Sequence, residues 1–206
     1  MSLEFDADLV LAAYRSGVFP MPLLDFADSD GMGWWSPVHR GILPLDDVRV
    51  TRSLRKSAKK YRVTFDRAFD EVLSQCAHPR RESGWISPAI VEVFTELHRE
   101  SIVHSVEAWT PAGDLAGGLY GVSVGGLFAG ESMFHDPAIG RDASKVALLG
   151  LVEKLDDGVE GRLLDVQWVT DHLATLGAVA IDRTDYLRLL GEALELPAPD
   201  WRGMSE

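Results

Sequence analysis

One cysteine, Cys76, stands among 206 residues, so no disulfide can close within the chain and no thiolate zinc site can be assembled from it. No apolar run approaches the roughly 18 residues of a membrane span. The first ten residues, MSLEFDADLV, are acidic and lack the basic-then-apolar layout of a secretion signal. The expectation is a cytoplasmic protein with no membrane partner. Neither Gly-x-x-x-x-Gly-Lys nor Gly-x-Gly-x-x-Gly occurs, which gives no support to ATP or dinucleotide use. His98, His104 and Glu107 have no metal-ligand spacing, so neither a metal nor a cofactor is expected. Basic residues are also short overall, 20 Lys and Arg against 32 Asp and Glu, for a net charge of −12.

What is present is ordinary for a globular chain: 46% hydrophobic and 25% charged residues. The length fits one domain, or one domain with a small appendage. Charge is unevenly spread. Between Arg49 and Arg81 ten basic residues meet three acids, giving that segment +7 and the remainder −19. A basic face on an acidic protein suits RNA or another anionic ligand; an ordinary solvated helix face accounts for it equally well.

The pattern predicts a helix from Asp6 to Ser16 closed by Gly17, then a Pro-punctuated loop, FPMPLLDFADSDGMG, and the bulky pair Trp34-Trp35. Thr51 to Lys60 reads as a basic helix and Tyr61 to Phe65 as a strand. Asp66 is placed as the cap of a helix bearing Phe69, Val72, Leu73 and Cys76 on one face. Ser87-Pro88 opens another helix, followed by a strand from Val103 to Trp109. Beyond it come a helix capped by Asp142, a strand from Leu163 to Val169, a short helix near His172 and a strand from Val179 to Ile181. A last helix is capped by Thr184, and a loosely held tail begins at Leu196. Hairpin-connected middle strands among interleaved helices predict a mixed sheet of the α+β class.

The stretch from Leu115 to Phe134, LAGGLYGVSVGGLFAGESMF, reads as a hairpin turning at Gly125-Gly126. Glycine this dense weakens strands unless a backbone must come close, so the stretch reads as the wall of a site. Gly121-Val122-Ser123-Val124-Gly125 matches the nucleophile-elbow pattern, but a serine inside a strand followed by a second strand lacks the strand-turn-helix context that chemistry needs. Further on, alternation puts Asp165 and Gln167 on one face with Leu163, and Leu164, Val166 and Trp168 on the other. Burying a carboxylate beside an amide is costly without partners. Either the pair caps a loop edge, or Asp165 accepts from the Gln167 amide and leaves the Gln167 carbonyl to hold a donor such as an amine.

These segments, taken together, resemble the leucyl/phenylalanyl-tRNA–protein transferases. The likeness rests on Ala13 to Met21, Trp34 to Pro37, Arg40 to Pro44, Trp85-Ile86, Glu96 to His98, His104 to Trp109 and Gly117 to Gly121. It continues through Gly130 to Phe134, Ala143 to Leu148, Asp165-x-Gln167 and His172 to Ala178, in order, over residues 8 to 190. The resemblance implies an enzyme that moves Leu, Phe and sometimes Met from aminoacyl-tRNA to the α-amino group of proteins beginning with Arg or Lys, making an N-end rule degradation signal. It implies a GNAT-like catalytic domain over residues 39–206 behind a small, reduced N-terminal subdomain over 1–38.

Carried over by position, Glu131, Asp165 and Gln167 are the polar catalytic residues. Met21, Trp85, Leu119, Phe128, Met133, Leu151 and Leu164 are the apolar pocket. With tRNA as the donor, Arg52, Arg55, Lys56, Lys59, Lys60 and Arg62 become its expected contacts. Glu131 is expected to attract the acceptor's basic residue, and the hairpin glycines to admit the terminal adenosine of the tRNA. Many relatives have an aromatic residue where Met21 stands and a cysteine where Val166 stands, and Val166 is expected to point away from the site.

Overall fold

The computed structural model describes residues 5–22, 32–78 and 86–202. Helix α1 (Ala7–Arg15) starts where the Asp6 carboxylate accepts from the Leu9 amide, satisfying one of the donors a helix N-terminus leaves open. The chain then departs from the predicted loop. Strand β1 (Phe19–Pro22) pairs antiparallel with β2 (Met32–Trp35) in a two-stranded sheet of its own; the intervening residues 23–31 lie outside the described residues. Prolines at edge positions are compatible with such a short ladder.

The rest is a seven-stranded sheet, in the order β4-β5-β6-β7-β8-β3-β9. Its strands are β3 (His39–Ile42), β4 (Arg62–Phe65), β5 (Val103–Trp109), β6 (Leu115–Val124), β7 (Leu127–His135), β8 (Leu163–Gln167) and β9 (Val179–Asp182). Every pairing is antiparallel except β7 with β8, which makes the sheet mixed. That parallel pair is joined by α5 (Ala143–Leu155), because parallel neighbours need a crossover long enough to return the chain.

Helices cover both faces. Alternation along the strands divides the core in two: Leu127, Ala129 and Leu163 face α1, α3 (Phe69–Cys76), α4 (Pro88–Arg99) and α7 (Arg183–Leu194). Phe128 and Leu164 face α2 (Arg52–Ala58), α5 and α6 (Asp171–Thr175).

Several caps differ from the sequence reading. Ser87 caps α4 through the Ile90 amide as expected, and Thr51 caps α2. Asp66, however, does not cap α3, whose N-cap is Ala68. Its φ is 53°, and its carboxylate instead accepts from the Ser105 amide and meets His104 Nδ1 at 2.6 Å. Asp182 rather than Thr184 precedes α7. At the hairpin turn Gly125 alone of the pair has positive φ, 57°.

The described part of the tail, as far as Arg202, is not loose. The Trp201 ring stacks on His104 at 4.2 Å and its indole N–H donates to Ser123 Oγ at 3.1 Å. Ser123 is thus a strand residue that anchors Trp201.

Candidate active site

Strands β7 and β8 run together for three residue pairs only, Leu127 with Leu163, Phe128 with Leu164 and Ala129 with Asp165. Beyond them the strands part around a cavity of about 430 Å3. Both carry an extra residue where they separate. Tyr120 pairs with Ser132 and Gly121 with Gly130, leaving Glu131 unpaired. Likewise Gly41 pairs with Gln167 and Ile42 with Asp165, leaving Val166 unpaired. Such bulges bend a strand and re-aim its side chains.

The polar groups meet across that gap. Gln167 Nε2 donates to Glu131 Oε1 at 3.0 Å. Asp165 holds Gln167 by a different bond from the one expected: its Oδ1 accepts the Gln167 backbone N–H at 2.8 Å, not the side-chain amide. Gln167 has φ of 55°, a break in strand geometry that turns its side chain into the cavity while Asp165 stays fully buried behind it.

Asp165 is saturated. Arg40 Nε donates to Oδ1 at 2.9 Å and Nη2 to Oδ2 at 2.5 Å; Tyr186 OH donates to Oδ2 at 2.8 Å. The guanidinium also donates from Nη1 to the Gly17 carbonyl at 3.1 Å and lies over the rings of Phe19 (4.4 Å) and Tyr186 (4.5 Å). Burial opposes the Arg40 charge, but Asp165 outweighs it and the guanidinium is held above its ordinary range. A fork-to-fork pair of this kind fixes orientation as well as charge. Tyr186 is pushed up, by burial first and then by Asp165.

Glu131 has no cation within bonding distance among the described residues. The cavity leaves part of it accessible, yet protein surrounds its carboxyl, and that burial pushes it up to about 8. The nearby Asp165 charge adds to the shift, while Tyr14, Arg40 and Gln167 oppose it. Tyr14 OH, fully buried, makes no hydrogen bond of full geometry but lies beside Glu131, and burial followed by the Glu131 charge raises it well above its usual value.

Of the expected apolar residues, Met21, Leu119, Met133, Leu151 and Leu164 line the cavity, joined by Phe19, Leu148 and Leu173. Phe128 does not line it; it is fully buried with its ring 5.5 Å from Trp201. Trp85 lies outside the described residues. Val166 lines the cavity beside Leu164, contrary to the expectation that it points away, because alternation keeps it on the Leu164 face, which is the face the cavity occupies. The hairpin glycines mostly serve internal contacts. A Cβ at Gly117 would sit 2.8 Å from Ala143 Cβ, and one at Gly118 2.8 Å from the Val106 carbonyl. Gly130 is the one of them that reaches the cavity.

Arg52, Arg55, Lys56, Lys59, Lys60 and Arg62 are all exposed and form no ion pair among the described residues. Leu54 and Ser57 turn inward, and Ser57 Oγ donates to Asp142 Oδ2 at 2.8 Å, which pins the basic helix to the start of α5. No group of three or more His, Cys, Asp or Glu among the described residues could hold a metal ion, and none of the helices is long and apolar enough to cross a membrane.

Sequence reasoning missed Arg40, Tyr186 and Tyr14 as site residues. Arg40 carried a signal: an arginine within the short strand run His-Arg-Gly-Ile needs a partner once buried. The two tyrosines lie at helical core positions and carried none.

Comparison with known proteins identifies the family. The family model described as leucyl/phenylalanyl-tRNA protein transferase matches residues 42–191, and the model of that family's N-terminal domain matches 4–38. Curated proteins named leucyl/phenylalanyl-tRNA–protein transferase align over nearly the whole chain. That of Rhizorhabdus wittichii is 49% identical over 94% of this chain and 77% of its own length. That of Afipia carboxidovorans is 46% identical over 94% and 84%, and that of Herpetosiphon aurantiacus 43% identical over 96% and 99%. With a family model covering most of its length and relatives of this identity, the chain belongs to the leucyl/phenylalanyl-tRNA–protein transferase family.

Proposed function

We propose that the chain transfers leucine or phenylalanine, and more slowly methionine, from aminoacyl-tRNA to the α-amino group of proteins beginning with Arg or Lys, marking them for N-end rule degradation. The observation that carries this is the pairing of Gln167 with Glu131 in a cavity lined mostly by apolar side chains. An apolar pocket selects mainly by shape, and one missing methylene costs only about 1–3 kcal/mol, which fits acceptance of all three side chains. The donor ester is already activated, so the reading requires no cofactor.

The attacking amine must be neutral, the ester carbonyl must gain charge, and the ribose oxygen must leave with a proton. Asp165 cannot take that proton, since Arg40, Tyr186 and the Gln167 amide occupy its lone pairs. An amide is no base. Gln167 instead orients the amine through its carbonyl, with Glu131 and Asp165 fixing its side chain and backbone. Glu131, at about 8, is matched to an α-amino group near 7.7–8.0. In its ionised fraction it takes the proton that the nitrogen loses on attack and returns it to the departing ribose oxygen. At neutral pH Glu131 is mostly protonated, so it serves poorly as a fixed anion for the acceptor's Arg or Lys.

Met21, Leu119, Met133, Leu151 and Leu164 would hold the side chain, with Phe128 backing the pocket through its ladder partner Leu164 and Trp85 as a further wall. The exposed cations from Arg52 to Arg62 would hold the tRNA backbone. A GNAT-like catalytic domain over 39–206, a small N-terminal subdomain over 1–38 and a cytoplasmic location complete the reading. The separate β1–β2 sheet and the parted parallel strands support the first two.

The test is to incubate the protein with labelled Phe-tRNA and a peptide beginning with Arg, and to look for ribonuclease-resistant label on the peptide. Label transfer is expected. Tight tRNA binding without transfer would overturn the enzymatic reading in favour of a binding protein.

A further inference from the structure

The connection from β7 to α5, residues 136–142, is a surface loop tied down from several directions, although such loops are commonly mobile. Asp136 Oδ1 accepts the Ala138 amide at 2.7 Å and the Ile139 amide at 3.0 Å, and the Asp136 carbonyl accepts the Gly140 amide at 2.8 Å. From the side of the basic helix α2, the Tyr61 hydroxyl donates to the Arg141 carbonyl at 2.8 Å, with the Ile139 carbonyl 3.1 Å away. Ser57 Oγ, on α2 itself, donates to Asp142 Oδ2 at 2.8 Å. Asp142 has φ of 64°, a strain that a residue other than glycine keeps only when its surroundings fix it.

Those bonds occupy the loop's acids and leave its arginine. The Asp136 carboxylate is held by the loop's own amides. The Asp142 carboxylate meets Ser57 and Lys145, whose Nζ lies 4.0 Å from Oδ1. Arg141 is exposed and forms no ion pair among the described residues, in a chain with 32 acidic residues against 20 basic ones. Its carbonyl holds the loop, not its guanidinium.

The cations continue toward the cavity. Lys145 and Leu148 stand three residues apart on α5 and so share a face, and Leu148 lines the cavity. His172, which also lines it, feels that ammonium: partial burial, then the Lys145 and His135 charges, hold its imidazole below the ordinary range against the opposing Asp142 carboxylate. Positive charge thus runs from Lys60 at the end of α2, past Tyr61 to Arg141, and on to Lys145 beside the cavity. Resting on the tRNA-donor reading, we infer that this loop bridges α2 and the cavity for the donor's single-stranded 3′ end, with Arg141 and Lys145 neutralising the two phosphodiesters that precede the terminal nucleoside. Such contacts position a strand without reading its bases, and a loop fixed beforehand loses little freedom when it makes them.

The test is equilibrium binding to the full chain, unaltered and with Arg141→Ala, Lys145→Ala, both together, and Arg141→Lys. Three donors are compared over a range of salt: 3′-O-phenylalanyl-adenosine, which has no phosphodiester, the phenylalanyl ester of the trinucleotide CpCpA, which has two, and Phe-tRNA. With the trinucleotide and with Phe-tRNA, each Ala variant is expected to bind more weakly and to reduce the slope of log K against log salt by about 0.7, and the double variant by about 1.4. Arg141→Lys, which keeps the charge, should keep the slope. All five proteins should bind the adenosine donor alike. An equal loss with the adenosine donor would make these side chains part of the aminoacyl pocket and overturn the inference. A loss with Phe-tRNA alone would set the loop against the duplex stem and overturn it as well, as would unchanged slopes throughout. Because no acceptor is present, the outcome is separate from the enzymatic reading: a phosphate-dependent loss sustains the inference even if no label is ever transferred, and its absence overturns it even if transfer occurs.

Discussion

Gln167 Nε2 reaches 3.0 Å across the parted strands to Glu131 Oε1, joining a residue in left-handed geometry to one left unpaired by a bulge. The register from Leu127–Leu163 to Ala129–Asp165, continued, sets 131 opposite 167, so the contact keeps that pairing after the ladder ends. What the bulges at this level change is the backbone, which parts there beside the cavity.

Glu131 should leave a signature in stability. Its folded pKa, about 8, lies above the ordinary 4.5, so the folded chain binds a proton the unfolded chain releases. That contribution is complete below about pH 4.5 and is lost as pH rises through 8. Thermal unfolding from about pH 5 to 9 should show the unaltered chain losing Tm relative to Glu131→Gln as pH rises. A constant difference would place Glu131 at an ordinary pKa.

Arg40 and Asp165 form a buried pair with 1% and 0% exposure. Arg40→Met leaves the Asp165 charge unpaired and should cost about 3–5 kcal/mol in urea unfolding. Arg40→Met with Asp165→Asn should recover part of that loss, since no uncompensated charge remains. A double variant as unstable as the sum of the two single variants would deny the coupling.

The exposed cations of α2 and the turn after it predict a salt effect. Lys56, Lys59 and Lys60 replaced together by Ala should weaken tRNA binding and reduce the slope of log K against log salt by about 2. An unchanged slope would show that this face meets no phosphate.

Trp201 stacks on His104, contacts Phe65 and Phe128, and donates to Ser123. Trp201→Ala should cost about 1–3 kcal/mol of stability, measured by urea unfolding. No change in midpoint would mean that the tail contributes nothing to the fold.

Much of this was legible because it is local. The Ser87-Pro88 start, the Gly125-Gly126 turn and the strand Val103–Trp109 follow from caps, turn residues and alternation. What escaped was long-range. Asp66 looked like a cap but is claimed by Ser105 and His104, 39 and 38 residues away, and Arg40 finds Asp165 across 125 residues. Period-2 alternation placed Asp165 and Gln167 together and Val166 opposite. The cavity lies on the face of Leu164 and Val166, and the positive φ at Gln167 breaks the period, so Gln167 leaves the Asp165 face and enters it. Glycines counted as a ligand wall turned out to admit the chain's own carbonyls and side chains.

The central claim is that Gln167, held by Glu131, carries transfer without holding the tRNA. Single-turnover transfer of phenylalanine from Phe-tRNA to a peptide beginning with Arg, measured for Gln167→Ala beside tRNA affinity, addresses it most directly. The account predicts a rate reduced about a hundredfold or more at unchanged tRNA affinity. Transfer at the unaltered rate would contradict it.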